Sequence, residues 1–67
     1  MNFDHEELTL MMIYNTGTRL GLIHELRLMQ CYLMPDETAL RELSEDVIEK
    51  LKLMTDAQFA EVEFPLD

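Results

Sequence analysis

Two histidines and one cysteine are the side chains in this 67-residue sequence that most readily bind metal ions or attack substrates. His5 and His24 each precede a glutamate, but neither is followed by a second histidine four residues on. A lone cysteine also excludes the paired-cysteine pattern of a zinc site. We therefore predict no metal site and no cofactor, with His5 in solvent and His24 partly buried.

Nucleophilic catalysis would need Cys31, or the single serine Ser44, beside a general base. Cys31 and His24 are seven residues apart, which on one helix separates them by about 10 Å along the axis. That distance is too long for a direct hydrogen bond. An unpaired cysteine is more often a small core residue. We therefore expect Cys31 to be buried, and we predict that the chain is not an enzyme and has no catalytic residue.

Carboxylates dominate the charge, with 14 Asp and Glu against 5 Lys and Arg and a net charge of −9. This balance argues against binding a nucleic-acid backbone, which needs clustered basic side chains, and against an anionic membrane surface. It suits a basic protein partner. A charged helix face that serves only solubility would have the same composition. Four carboxylates fall on one predicted helix face and form the candidate acidic strip: Glu42, Glu45, Asp46 and Glu49.

Local signals predict a single all-α domain over residues 1–67, a small bundle of three main helices plus a short C-terminal helix. Only two glycines and two prolines occur, and they fall where helices should end. The alternation typical of strands is nearly absent. The predicted helices span about residues 5–15, 19–32, 37–53 and 56–62, followed by a tail at 63–67.

Capping residues indicate where these helices begin. Asp4 and Glu7 have the spacing of a capping box, and so do Thr55 and Gln58. The second and third helices are expected to follow the caps Thr18 and Asp36. Further signals are two hydrophobic staples (Phe3 with Leu8, Met54 with Phe59) and a left-handed Gly17 after the first helix.

Apolar spacing predicts which helix faces meet. A helix with two apolar stripes usually lies between neighbours, and we therefore place the second helix at the centre. Its stripes are Leu22, Ile23, Leu26, Met29 and Leu33 on one side and Leu20, His24, Leu28 and Cys31 on the other. The first helix has one main face, made by Leu8, Met11 and Met12. The third helix has one stripe, made by Leu40, Leu43, Val47, Leu51 and Met54 with Ile48 at its edge.

The sequence has more apolar residues than a three-helix core requires, including six methionines. Methionine is over-used on surfaces that bind varied partners. Two outcomes stay open: these side chains form an uncovered patch that binds a partner, or the fourth helix and the tail cover them. Tyr14 and Phe59 are candidate aromatic anchors of a patch. The other surplus residues are Leu10 and Ile13 on the first helix and Phe64 and Leu66 in the tail.

The expected compartment is the cytoplasm. One cysteine cannot form the disulfide framework of a small secreted domain. The first residues lack the basic stretch of a signal peptide. The apolar runs are far below the roughly 20 residues of a membrane span.

Two segments resemble signature segments of the transposon-transfer-assisting proteins, which are small proteins of conjugative transposons in Gram-positive bacteria. The segments are residues 14–19 (Tyr-Asn-Thr-Gly-Thr-Arg) and 54–59 (Met-Thr-Asp-Ala-Gln-Phe). The similarity extends over nearly the whole chain, from the opening Met-Asn-Phe through residues 22–27 (Leu-Ile-His-Glu-Leu-Arg). Both segments coincide with predicted helix boundaries.

The resemblance implies a small helical protein with a role in conjugative transfer, and it implies no active-site residue. One position departs from the family pattern. Where such proteins favour a glutamate after the cap of the second helix, this chain has Gly21. Thr18 then lacks a capping-box partner, and the second helix is expected to begin less securely.

Three functions fit these observations. The first is an interaction module of the transfer machinery that docks a protein partner through an acidic, Met-rich surface, with Glu42, Glu45, Asp46, Glu49, Tyr14 and Phe59 as partner-binding residues. The second is an acidic DNA mimic that occupies a basic DNA-binding protein, whose complex should weaken steeply with salt. The third is a self-associating structural protein, a homodimer with the second stripe of the second helix as its seam. Direct nucleic-acid or membrane binding is not expected.

Overall fold

The computed structural model describes residues 3–64. They form four helices and no strand: α1 (His5–Tyr14), α2 (Arg19–Cys31), α3 (Thr38–Leu53) and α4 (Asp56–Ala60). The predicted all-α bundle of three main helices plus a short C-terminal helix is confirmed. The radius of gyration is 11.5 Å, close to the roughly 11 Å expected of a compact chain of this length.

Two helices begin at the capping boxes that the sequence predicts. The Glu7 backbone N–H donates to Asp4 Oδ1 at 2.9 Å, and the Asp4 N–H donates to Glu7 Oε1 at 3.0 Å. At α4, the Gln58 N–H donates to Thr55 Oγ1 at 3.1 Å and the Thr55 N–H donates to Gln58 Oε1 at 2.8 Å. Each box satisfies two backbone donors that a helix start would otherwise leave unpaired.

Thr18 caps α2 as predicted, since its hydroxyl accepts the N–H of Gly21 at 3.0 Å. The cap bond therefore forms although Gly21 supplies no reciprocal side chain. In the turn before it, Gly17 has a φ of 96°, the left-handed region that glycine enters without a Cβ clash. The Asn15 side chain holds this turn by accepting the Gly17 N–H at 2.9 Å.

The prediction of Asp36 as the cap of α3 is wrong. Glu37 occupies the cap position and makes no side-chain cap bond. Its carboxylate instead accepts the Met34 N–H at 2.9 Å, which closes the turn between α2 and α3. The ends of α1 and α2 lie one residue before the predicted ends, and α4 ends at Ala60 rather than at 62. The predicted tail is described only at Glu63 and Phe64; residues 65–67, including Leu66, lie outside the described residues.

The core forms where α1, α2 and α3 meet. Most of the predicted α3 stripe is in it, but Ile48, expected at an edge, is fully buried. Leu10 was expected off the main face of α1 and is instead buried, because α1 turns the side that carries Glu7, Leu10 and Met11 inward. Met54, which follows α3, and Phe59 of α4 extend this core toward α4. The buried apolar cluster comprises Leu10, Met11, Leu22, Leu26, Val47, Ile48, Leu51, Met54 and Phe59.

The prediction that α2 is sandwiched is wrong. Leu22 and Leu26 are fully buried, but the second stripe, which includes His24 and Cys31, lies in solvent. A chain with only three long helices supplies two neighbours for α2, and both pack against its first stripe. The expectations of a partly buried His24 and a buried Cys31 fail for the same reason.

One partly buried ion pair connects α1 to α3. Glu7 is buried, and its Oε1 lies 2.7 Å from Lys50 Nζ. The same ammonium lies 5.5 Å from the centroid of the Phe3 ring, within cation–π range. Glu7 therefore completes the capping box of its own helix and also forms an ion pair with Lys50 of α3. Phe3 and Leu8, the predicted staple, are both partly buried against this core.

Candidate functional site

The serine that could serve as a nucleophile is a structural residue. Ser44 is fully buried, and its Oγ accepts the Gln30 Nε2 amide at 2.8 Å while donating to the Arg41 carbonyl at 2.9 Å. A glutamine is not a general base, so this contact cannot activate the hydroxyl. No sequence pattern indicated this pair, because Gln30 lies among the apolar residues of α2 and its burial depends on α3.

The histidines and the cysteine stand apart in solvent. His5 is exposed at the first turn of α1, as expected, while His24 and Cys31 are exposed on α2. Within residues 3–64, no three side chains of the His, Cys, Asp and Glu types come together as a metal-binding group.

The candidate acidic strip is only partly available to a partner. Glu42, Asp46 and Glu49 are exposed on α3. Glu45 turns toward α2, where its Oε1 lies 3.0 Å from Arg27 Nη1. Leu53, at 74% exposure, follows on the same side of α3. The exposed part of the strip is therefore the three carboxylates of Glu42, Asp46 and Glu49, and the apolar side chain of Leu53 lies beside it.

The proposed aromatic anchors lie away from that strip. Tyr14 ends α1 and is partly buried against the core. Phe59 belongs to the core and is 9% exposed. Because so little of the ring is accessible, Phe59 can contact a partner only as part of a pocket lining, and its role in partner binding stays a prediction.

A Met-rich surface is also absent from residues 3–64. Met11 and Met54 are buried in the core, and Met12 and Met29 are half-buried. Met34, in the turn between α2 and α3, is the one exposed methionine of that stretch. Methionine adapts to irregular gaps between helices, and in this bundle that property serves the core.

Three of the six large apolar residues that are exposed within residues 3–64 lie on or beside α2. We call the face made by Leu20, His24, Leu28 and Cys31, continued by Tyr32, the α2 outer face. Leu20 is 64% exposed and Tyr32 is 84% exposed. Glu25, three residues before Leu28, borders this face and is the one carboxylate of α2. The helical spacing of the second stripe was the signal for it, and the error lay in assigning a neighbour to cover it.

A cleft of about 670 Å³ opens at the N-terminal end of this face. It lies between the α1–α2 turn and α4, and we call it the α2–α4 cleft. Leu20, Phe59, Val62 and Phe64 supply its apolar lining. Arg19 and Asp56 are among its polar lining residues.

Arg19 joins the two sides of the cleft. Its Nε lies 2.8 Å from Asp56 Oδ1, and its Nη1 donates to the Leu51 carbonyl at 2.9 Å. That carbonyl is among the last four of α3, which have no partner within the helix. One side chain therefore connects the start of α2, the end of α3 and the first turn of α4. This contact could not be predicted from residue spacing, because Arg19 and Asp56 are 37 residues apart.

The structure thus defines a small helical bundle whose candidate sites are the α2 outer face, the acidic strip and the α2–α4 cleft. Among residues 3–64, no helix combines the length and the apolar character needed to cross a membrane. The family model described as "Putative transposon-transfer assisting protein" matches residues 3–65 of the 67-residue chain. The chain therefore belongs to this family, as the two signature segments indicated. Searches of curated proteins and of solved structures gave no match.

Proposed function

We propose that this protein is a non-enzymatic accessory of conjugative transposon transfer that works by docking a protein of the transfer machinery. Membership of the transposon-transfer assisting family supports the setting. The proposal of docking rests on the apolar side chains that the fold leaves in solvent. The buried hydroxyl of Ser44 and the isolated His24 and Cys31 supply no competing chemistry.

The α2 outer face is the observation that carries the proposal. Leu20, Leu28 and Tyr32 are exposed large apolar residues that recur at helical spacing on or beside one helix, and exposed apolar residues grouped on one face are typical of interaction sites. Tyrosine and leucine side chains of such a face lose water when a partner covers them, and that loss is the main source of affinity.

The acidic strip has a separate role in the proposal. Neither Glu42 nor Asp46 has an ion-pair partner among residues 3–64. Exposed charges of one sign raise the association rate of a basic partner and orient it. We assign affinity to the α2 outer face and orientation to the strip, and we propose a cytoplasmic, basic partner protein.

The test is affinity capture from donor cells that carry the element. Three tagged proteins are compared: the wild type, Leu28→Lys on the α2 outer face, and Ile13→Lys on α1. Ile13 is also an exposed large apolar residue, so it is a matched control for the same change. Retention of a transfer protein by the wild type and the control, with its loss from Leu28→Lys, is the expected result.

Salt distinguishes this function from charge mimicry. The mimic hypothesis gains support only from the exposed carboxylates of α3, and it predicts elution of a DNA-binding protein over a moderate rise in salt. Apolar docking predicts a complex that survives that rise. Equal retention of the partner by Leu28→Lys and by the wild type would contradict the proposal. A second contradicting result would come from sedimentation of the protein alone: a mass that rises with protein concentration in the wild type but not in Leu28→Lys would assign the face to self-association.

A further inference from the structure

The two segments that carry the family resemblance meet in space at the α2–α4 cleft. Asn15, Gly17, Thr18 and Arg19 line one side, and Asp56 and Phe59 line the other. The Arg19–Asp56 ion pair joins the two segments at 2.8 Å. Helix capping explains Thr18, Thr55 and Gln58 by local hydrogen bonds. It does not explain why a solvent-accessible space remains between the segments.

The cleft has the chemistry of an anchor pocket. Its apolar residues come from three elements: Leu20 from α2, Phe59 from α4, and Val62 and Phe64 from the segment after α4. A volume of about 670 Å³ falls in the range of pockets that hold small ligands or large side chains. Asn15, Thr18 and Asp56 are exposed polar residues of the lining, and they can contact the backbone of a bound segment.

Charge around the cleft selects the occupant. The Arg19 side chain is 17% exposed and uses both of its described donors within the protein, while the Asp56 side chain is 79% exposed. Asp56 is the only carboxylate among the described residues that line the cleft, since Glu61 and Glu63 line the neighbouring depression that includes Phe3 and Leu8. The cation is therefore occupied and largely covered, whereas the Asp56 carboxylate faces solvent beside an apolar lining, in a chain with a net charge of −9. That combination complements an apolar side chain flanked by lysines or arginines.

We propose that the α2–α4 cleft holds a large apolar side chain from a basic segment of the partner protein. This inference rests on the proposed function and adds the position and chemistry of its anchor. Leu20 lies both in the cleft and at the end of the α2 outer face. A basic segment anchored in the cleft can therefore continue along that face, which Glu25 borders.

The experiment is a titration of the ¹⁵N-labelled full chain with three synthetic peptides. The first has a Leu-Phe pair between lysines, the second replaces the lysines with glutamates, and the third replaces the Leu-Phe pair with two serines. The proposal predicts saturable shifts of the amides that line the cleft, including Gly17, Ala60 and Val62, with the first peptide. Binding of the other two peptides should be weaker by about tenfold or more, since each loses at least one source of affinity.

Matched variants locate the site. Leu20→Ser removes an exposed cleft residue, and Leu53→Ser removes an exposed leucine outside it; neither residue supports the core, so both variants should fold. The first should weaken binding of the lysine peptide about tenfold and the second should leave it unchanged. Shifts on α3 alone, equal binding by both variants, or the same shifts on raising protein concentration without peptide would overturn the inference. The cleft can fail in this test while the capture experiment on Leu28 succeeds, so the two failures are distinguishable.

Discussion

Arg19 and Asp56 form an ion pair with 2.8 Å between Nε and Oδ1, and the same guanidinium donates to the Leu51 carbonyl at 2.9 Å. The first contact joins α2 to α4 across the α2–α4 cleft, and the second pairs a carbonyl of the last turn of α3. Arg19 therefore connects α4 to both α2 and α3. The side chain is an arginine because only a fork of several donors reaches both acceptors at once.

Replacing Arg19 with methionine should lower the free energy of unfolding by about 1–2 kcal/mol, because the Leu51 carbonyl loses a charged donor. Asp56→Asn should lower it by less than about 1 kcal/mol, since a salt bridge with one exposed partner is weak. Urea unfolding followed by circular dichroism measures both. Equal losses in the two variants would show that the ion pair with Asp56, not the contact with the Leu51 carbonyl, accounts for the stability that Arg19 contributes.

Glu7→Ala should destabilise the protein by about 2 kcal/mol, because a buried cap partner and a cross-helix ion pair disappear together. The Lys50 ammonium, half-buried beside Phe3, would lose its carboxylate. Glu6→Ala is the control, because Glu6 is exposed in the same helical turn and should change stability by about 0.5 kcal/mol or less. Similar thermal midpoints for the two variants would contradict this role of Glu7.

Gly21→Ala tests a steric constraint at the start of α2. Alanine normally stabilises a helix by about 1 kcal/mol relative to glycine. At this position a Cβ would lie 2.1 Å from Thr16 Oγ1 and 2.6 Å from Thr18 Oγ1. We expect that the gain is lost in Gly21→Ala and partly recovered when Thr16→Ala is added. A double-mutant cycle by urea unfolding should give a coupling of about 0.5–1 kcal/mol, and additive changes would contradict the predicted clash.

Ser44→Ala should lower the free energy of unfolding by about 1–2 kcal/mol, because the buried Gln30 amide loses its acceptor. The double variant Gln30→Met with Ser44→Ala should recover most of that loss, since no buried polar partner is left behind. Chemical unfolding of the three proteins is the measurement. A double variant less stable than Ser44→Ala would show that Gln30 has a second role, for instance through its 3.3 Å contact with Arg27.

The sequence predicted the local part of the fold well. The Asp4–Glu7 and Thr55–Gln58 boxes involve residues three positions apart, so their spacing alone specifies the hydrogen bonds. Asp36 failed as a cap because the neighbouring Glu37 carboxylate closes the preceding turn. That competition depends on side-chain conformations that a residue pattern does not encode.

The candidate site could not be predicted in the same way. Periodicity identified Leu20 and Leu28 as a second stripe of α2, but periodicity does not tell whether another helix covers a stripe. The α2–α4 cleft depends on where α4 packs, and Arg19 reaches Asp56 across 37 residues. Segments 14–19 and 54–59 were recognised by resemblance, and only the structure brings them together.

The frequency of conjugative transfer tests the central proposal most directly. Donor cells would carry the element with its own gene replaced by the wild type, by Leu28→Lys or by Ile13→Lys, and each protein would be checked for folding and abundance. We predict that Leu28→Lys lowers transfer to the level of a deletion while Ile13→Lys leaves it at the wild-type level. Wild-type transfer by Leu28→Lys, in cells where the deletion abolishes transfer, would contradict docking through the α2 outer face.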